Sequence, residues 1–231
     1  MILEEIRPSA PPRELLAIDG DAPLAVLADH PAWQAALAGE MSKARLRRLV
    51  LSLYPVVAGP GRYLFSAKVS QIAPEDGEQL FRDLYESDHN PEADADAGWR
   101  RIGRALGIKD TAFDAVVEKP SAEAADFLEI MREHSLRASP AAAVAVAWAI
   151  ERQLPRLWGG LADSLARHYG VAEDDLAHLR YQAGKAEEVE SWIERLVERY
   201  LIPAEPYTMF EARRACREVR WGWTALTESS Y

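Results

Sequence analysis

The stretch SPAAAVAVAWAIERQLP, residues 139–155, decides the fold. Serine followed by proline starts a helix: the hydroxyl can cap the free amides, and proline's missing N–H costs nothing in the first turn. Behind it, residues 141–150 form the longest apolar run in the chain, rich in alanine and closed by Glu151 and Arg152. A membrane span needs about 18 or more apolar residues, so this run reads as a buried helix of a water-soluble bundle. Val144, Trp148 and Glu151 fall on one stripe, spaced by four and three, and Leu154, Pro155 and Trp158 continue it. A carboxylate buried there costs several kcal/mol unless a cation, a metal or hydrogen bonds offset the penalty. Glu151 is therefore a candidate functional residue; a structural pairing with Arg152 or another arginine is the alternative.

Helical spacing extends outward in both directions. His30-Pro31-Ala32-Trp33 opens a short helix, and Ser42 caps the next, whose stripe is Leu46, Leu49, Val50 and Leu53 up to Pro55 and the Gly59-Pro60-Gly61 break. A helix is expected over about residues 62–72. Another starts at Pro74-Glu75-Asp76, buries Leu80, Phe81 and Leu84, and ends in Glu86-Ser-Asp-His89. Trp99, Ile102 and Leu106 mark a further one ended by Gly107, and Ser121 begins one that reaches Met131. The alanine-rich helix is expected to reach about His168, bent at Pro155 and Gly159-Gly160. Two long helices follow, over about 173–200 and 207–227. Strand-like alternation, fixed-period repeats and interdomain linkers are lacking, so the expected fold is all-α: an irregular arm over 1–22 carrying Pro8, Pro11 and Pro12, with a short turn at 13–18, then one helical-bundle domain over 23–231.

A net charge of −10 repels phosphate backbones and argues against nucleic acid as a partner. With no membrane-span candidate and no signal-peptide pattern at the start, a cytoplasmic protein is expected. A single cysteine, Cys216, leaves no internal disulfide and no CxxC metal site; it sits among Arg213, Arg214 and Arg217 with no histidine near in sequence. HExxH and Gly-x-Ser-x-Gly are missing. Seven tryptophans and eight tyrosines exceed what one core of this size needs, and Trp221 and Trp223, two apart on a helix, cannot share a face. One of them is expected to be exposed or to meet a partner, which suggests a homodimer.

Two further acids are candidates. Glu86 and His89 stand three apart, so both emerge from one side of a helix one turn apart. Glu188 shares a helix face with Tyr181, Gly184, Ser191 and Trp192, although in a charge-rich helix a solvated carboxylate is the competing reading.

The order of these landmarks resembles the heme-oxygenase-like all-helical proteins, among them the thiaminase-II group, the pyrroloquinoline-quinone synthase group, the chlamydial death-domain-associating protein and related di-iron oxidases. The resemblance rests on His30-Pro31 with Trp33, Leu53-Tyr54-Pro55, Leu84-Tyr85-Glu86, WRRIGRALG at 99–107, ERQLP at 151–155 and His168-Tyr169-Gly170, in family order across about residues 24–228. It implies a heme-oxygenase-like helical bundle. In the di-iron branch Glu86 and Glu151 match the two glutamate ligands, and Glu-x-x-His is an iron-binding element of helical bundles, which brings in His89. The family's His-x3-Asp-x2-His set falls on Gly184, Glu188 and Ser191, so both histidines are replaced. The implied reading is an oxidoreductase, iron- and dioxygen-dependent, acting on a small amino-acid-like or aromatic molecule. In it Glu86 and Glu151 are catalytic, Glu86, His89, Glu151 and Glu188 hold metal, and Tyr54, Trp148 and Tyr181 line the substrate cavity. The alternative is a pseudoenzyme or binding protein of the same fold, with no cofactor.

Overall fold

The computed structural model describes residues 26–59, 61–202 and 205–229, and every regular element in them is helical. The arm expected over 1–22, with its turn, lies outside the described residues. From a 3-10 turn at Leu27–Asp29 the chain passes through α1 (Pro31–Leu37), α2 (Lys43–Val57), α3 (Arg62–Ser66), α4 (Glu78–His89), α5 (Ala95–Ala105) and α6 (Asp110–Glu118). It continues through α7 (Ala122–Arg132), α8 (Pro140–Ala149), α9 (Leu154–Tyr169), α10 (Ala177–Gly184), α11 (Ala186–Tyr200) and α12 (Pro206–Glu228). Side chains satisfy the free amides at the serine starts, where Ser42, Ser121 and Ser139 cap α2, α7 and α8, and also at α1 and α5, where His30 Nδ1 accepts from the Ala32 amide at 3.1 Å and Asp94 is the cap.

Helix α8 is the hub. Each residue from Ala141 to Ala149 is buried, and α11 and α12 pack along it, brought close by its small side chains. The expected helix over 139–168 is in fact two. Pro155 sits in the first turn of α9, and its ring would clash with the carbonyl four residues earlier, so the chain leaves α geometry before it and makes a 3-10 turn at Glu151–Gln153. The carbonyls this frees at the end of α8 are recaptured by side chains: Arg152 Nε donates to Trp148 O at 2.7 Å, and Gln153 Nε2 donates to Ala149 O at 2.8 Å.

Other expected helices are also divided. The one over 62–72 is α3 followed by a 3-10 turn at Ala67–Ser70, and the one over 173–200 is broken at Lys185 between α10 and α11. The helix expected to start at 74–76 begins at Glu78, after a turn. Helix α6 has no counterpart in the sequence reading, since Phe113 is its single buried anchor and no apolar period announces it. Phe81, expected to be buried, is 55% exposed, so the inward arc of α4 is carried by Leu80 and its neighbours at helical spacing. In α12 Trp221 is 56% exposed while Trp223 is buried. No helix among the described residues is long and apolar enough to cross a membrane.

Candidate functional site

The breaks in the helices converge on a cavity of about 200 Å³ enclosed by α3, α4, α5, α9, α10 and α11. Aromatic rings form much of its wall: Phe65, Trp99, Trp158 and Trp192. Trp99 and Trp158 meet edge to face with centroids 5.3 Å apart, which fixes both rings. Among this apolar surface stand Arg62, Asp83, Glu151, His178, Tyr181, Gln182 and Lys185.

Glu151 occupies the 3-10 turn that Pro155 enforces, its side chain only 11% exposed. Its partner is not an arginine. Lys68, fully buried in the turn after α3, brings Nζ to 2.7 Å from Oε1 and 2.9 Å from Oε2, and also donates to the Phe65 carbonyl. Burial pushes the Glu151 carboxyl up, the Lys68 charge pulls it down, and Asp83 adds a further push upward.

Glu86 meets a second lysine. Lys185, set at the junction of α10 and α11, donates to Glu86 and, at 3.0 Å, to Asp83, and the Tyr181 hydroxyl donates to the same Glu86 oxygen. Hydrogen bonds from Lys185 and Tyr181 hold the Glu86 carboxyl below its ordinary range, outweighing the effect of burial. Burial works against the Lys185 ammonium, but its bonds to Glu86, Tyr181 and Asp83 prevail and raise its pKa. The acid of α4 on the cavity wall is Asp83, pushed up by burial against the pull of Lys185; Glu86 stands outside the lining.

The remaining expected ligands lie apart from this cluster. At about 100° per residue, a helix that turns Leu80, Asp83, Leu84 and Ser87 inward carries His89 to the opposite side. There its ring is exposed, stacks on Tyr85 at 4.0 Å, and Nδ1 lies 2.8 Å from the Tyr85 carbonyl. Glu188 is also exposed and pairs with Arg82 at 3.3 Å, because α11 points Lys185, Val189 and Trp192 at the cavity instead. Glu86, His89, Glu151 and Glu188 therefore do not form one donor set, and no group of three or more His, Cys, Asp or Glu among the described residues is placed to hold a metal ion.

Of the three expected substrate contacts, Tyr181 lines the cavity; Tyr54 and Trp148 do not. Tyr54 is buried, donates to Asp96, and borders a second, more open depression with Arg100 and Asp114. Burial and that hydrogen bond to Asp96 raise its pKa. Trp148 is packed in the core under two guanidinium groups, with Arg152 Cζ 4.2 Å and Arg220 Cζ 5.2 Å from its ring centroid. Arg220 is buried, and neither its Nε nor its Nη2 has a hydrogen-bond partner. A buried cation so poorly satisfied costs more than a thioether of similar length, so Arg220→Met is expected to stabilise by about 1–2 kcal/mol, raising the melting temperature by roughly 3–6 °C. A melt of the variant at or below the parent's would show that the guanidinium does necessary work.

His178 is a cavity residue that no sequence motif singles out. It is 3% exposed and held against α5 at Gly98, where an added Cβ would fall 2.3 Å from the His178 Cβ. Its Nδ1 lies 3.0 Å from the Glu92 carbonyl, which can only accept, so Nδ1 carries the proton and Nε2 is the ring's acceptor. Burial lowers its pKa to about 4, which keeps the ring neutral. Comparison with protein-family models finds no match to this chain, and comparison with curated proteins finds none either.

Proposed function

We propose that the chain is a binding protein of the heme-oxygenase-like helical fold, one domain over 23–231, whose cavity takes up a small aromatic or amino-acid-like molecule without a metal centre. The fold supports this through its all-helical architecture, its central buried helix and the family landmarks that fall on helix starts and breaks, among them His30-Pro31 and ERQLP. One observation carries the metal-free reading: each glutamate that would bridge iron is neutralised by a lysine, Glu151 by Lys68 and Glu86 by Lys185. An iron-dependent oxidoreductase needs those carboxylates as ligands and needs imidazoles beside them, and a lysine ammonium on each removes the charge that would draw a cation. Hard cations favour such oxygen donors only when several converge, and these two do not.

Metal analysis after anaerobic loading with ferrous iron and desalting tests the reading. Iron well below one equivalent per chain is expected. A stoichiometric content that disappears in Glu151→Ala would overturn it in favour of the oxidoreductase.

A further inference from the structure

We infer that Arg62 is the specificity-determining residue of the cavity and that it selects a carboxylate, making the ligand a single-ring aromatic acid. The inference rests on the cavity being a metal-free binding site. At about 200 Å³ the space is smaller than the roughly 300–1,000 Å³ typical of drug-sized ligands, so one ring with a short substituent fills it. Trp99, Trp158, Trp192 and Phe65 supply flat apolar walls for such a ring.

The charged groups on the wall differ in how well they are satisfied. Lys185 is bonded to two acids, Asp83 and Glu86, and Glu151 is paired with Lys68, so each of these charges has an opposite charge in contact, although Glu151 Oε1 itself accepts no well-aligned hydrogen bond. Arg62, whose side chain is 21% exposed and borders both this cavity and the open depression beside Tyr54, has no acid within hydrogen-bond reach. Its Nη2 donates to the Tyr63 hydroxyl at 2.6 Å, and the guanidinium lies over that ring with Cζ 4.7 Å from the centroid. Its Nη1 is buried and has no hydrogen-bond partner. The nearest acid, Asp94, keeps Oδ1 3.9 Å away, beyond hydrogen-bond reach, and that oxygen already accepts from the Ala97 amide as the cap of α5. A buried N–H on a partly exposed guanidinium is costly when it lacks an acceptor, and an anionic oxygen delivered by a ligand removes that cost through a charge-assisted bond. His178, also on the wall, is neutral and does not compete for the anion.

Phenylacetate and phenylacetamide have nearly the same shape and differ in charge, which makes them the probe pair. Titrated against the full chain by calorimetry, the acid is expected to bind about tenfold more tightly than the amide, the effect of one hydrogen bond to a charged group. In Arg62→Gln that preference should vanish while the amide's affinity stays within about threefold, with the circular dichroism spectrum and melt reporting that the variant is folded. Equal binding of acid and amide by the parent, or a preference that survives in Arg62→Gln, overturns the carboxylate assignment and leaves the binding site standing. No heat from either probe overturns the binding reading itself, and the assignment with it.

Discussion

Lys68→Met is expected to cost about 3–5 kcal/mol, on the order of 10 °C in melting temperature for a chain of this size. Lys68 has no exposed surface, and all three of its polar contacts are internal: both oxygens of Glu151 and the Phe65 carbonyl. Removing the ammonium leaves a carboxylate in the cavity wall with Asp83 as its nearest charged influence, a like charge. Glu151→Gln should be costly for the mirror-image reason, since it strands a buried cation. The double variant Lys68→Met, Glu151→Leu removes both charges and should cost less than either single change, because burying an ion pair gains little over burying apolar groups of similar volume. Chemical denaturation of the four proteins measures the coupling. If the two single costs simply add, the pair is not the unit described here.

The sequence carried the helical class well, because the buried helix and the proline and serine starts are local signals. It carried the site poorly. Glu151 was legible as a buried acid, but its partner is 83 residues away in sequence, in a turn whose single lysine looks like any surface lysine. Tertiary pairing of that kind leaves no periodic trace. His89 was drawn in by its spacing from Glu86, a test of mutual proximity that says nothing about which way the helix faces. The direction follows from Leu80, Leu84 and Ser87, which face the cavity while Phe81 faces outward. The strongest missed signal lay in α10 and its end. His178, Tyr181, Gln182 and Lys185 repeat at three, four and seven, a polar stripe along α10 and its end, and all four line the cavity. A stripe of that composition is what a helix shows when it faces neither solvent nor core.

His178 should make the fold sensitive to mild acid. Its folded pKa, about 4, lies below the ordinary histidine value of 6.5, so the unfolded chain binds a proton more readily than the folded one. The stability this contributes is complete above the unfolded value and is lost as pH falls from about 6.5 to about 4, reaching about 3 kcal/mol in all. Burial is the main cause; the Glu92 carbonyl and Asp94 favour the charged ring, and Arg101 and Arg62 oppose it. Acidic groups whose pKa values are held down, such as Glu86 and Asp96, also weaken the fold as they protonate, but in a range below their ordinary carboxylate values, and they do so equally in a variant. The discriminating comparison is therefore with His178→Asn, whose amide can still donate to the Glu92 carbonyl but does not titrate. At about pH 8 the variant is expected to be the less stable protein, having lost part of a ring packed against Gly98. Between about pH 8 and pH 5 the parent should lose about 2 kcal/mol that the variant keeps, closing the gap between their melting temperatures by roughly 4–8 °C. Parallel curves across that window would mean that His178 takes up its proton in place, and that the buried neutral ring on the cavity wall is the wrong description.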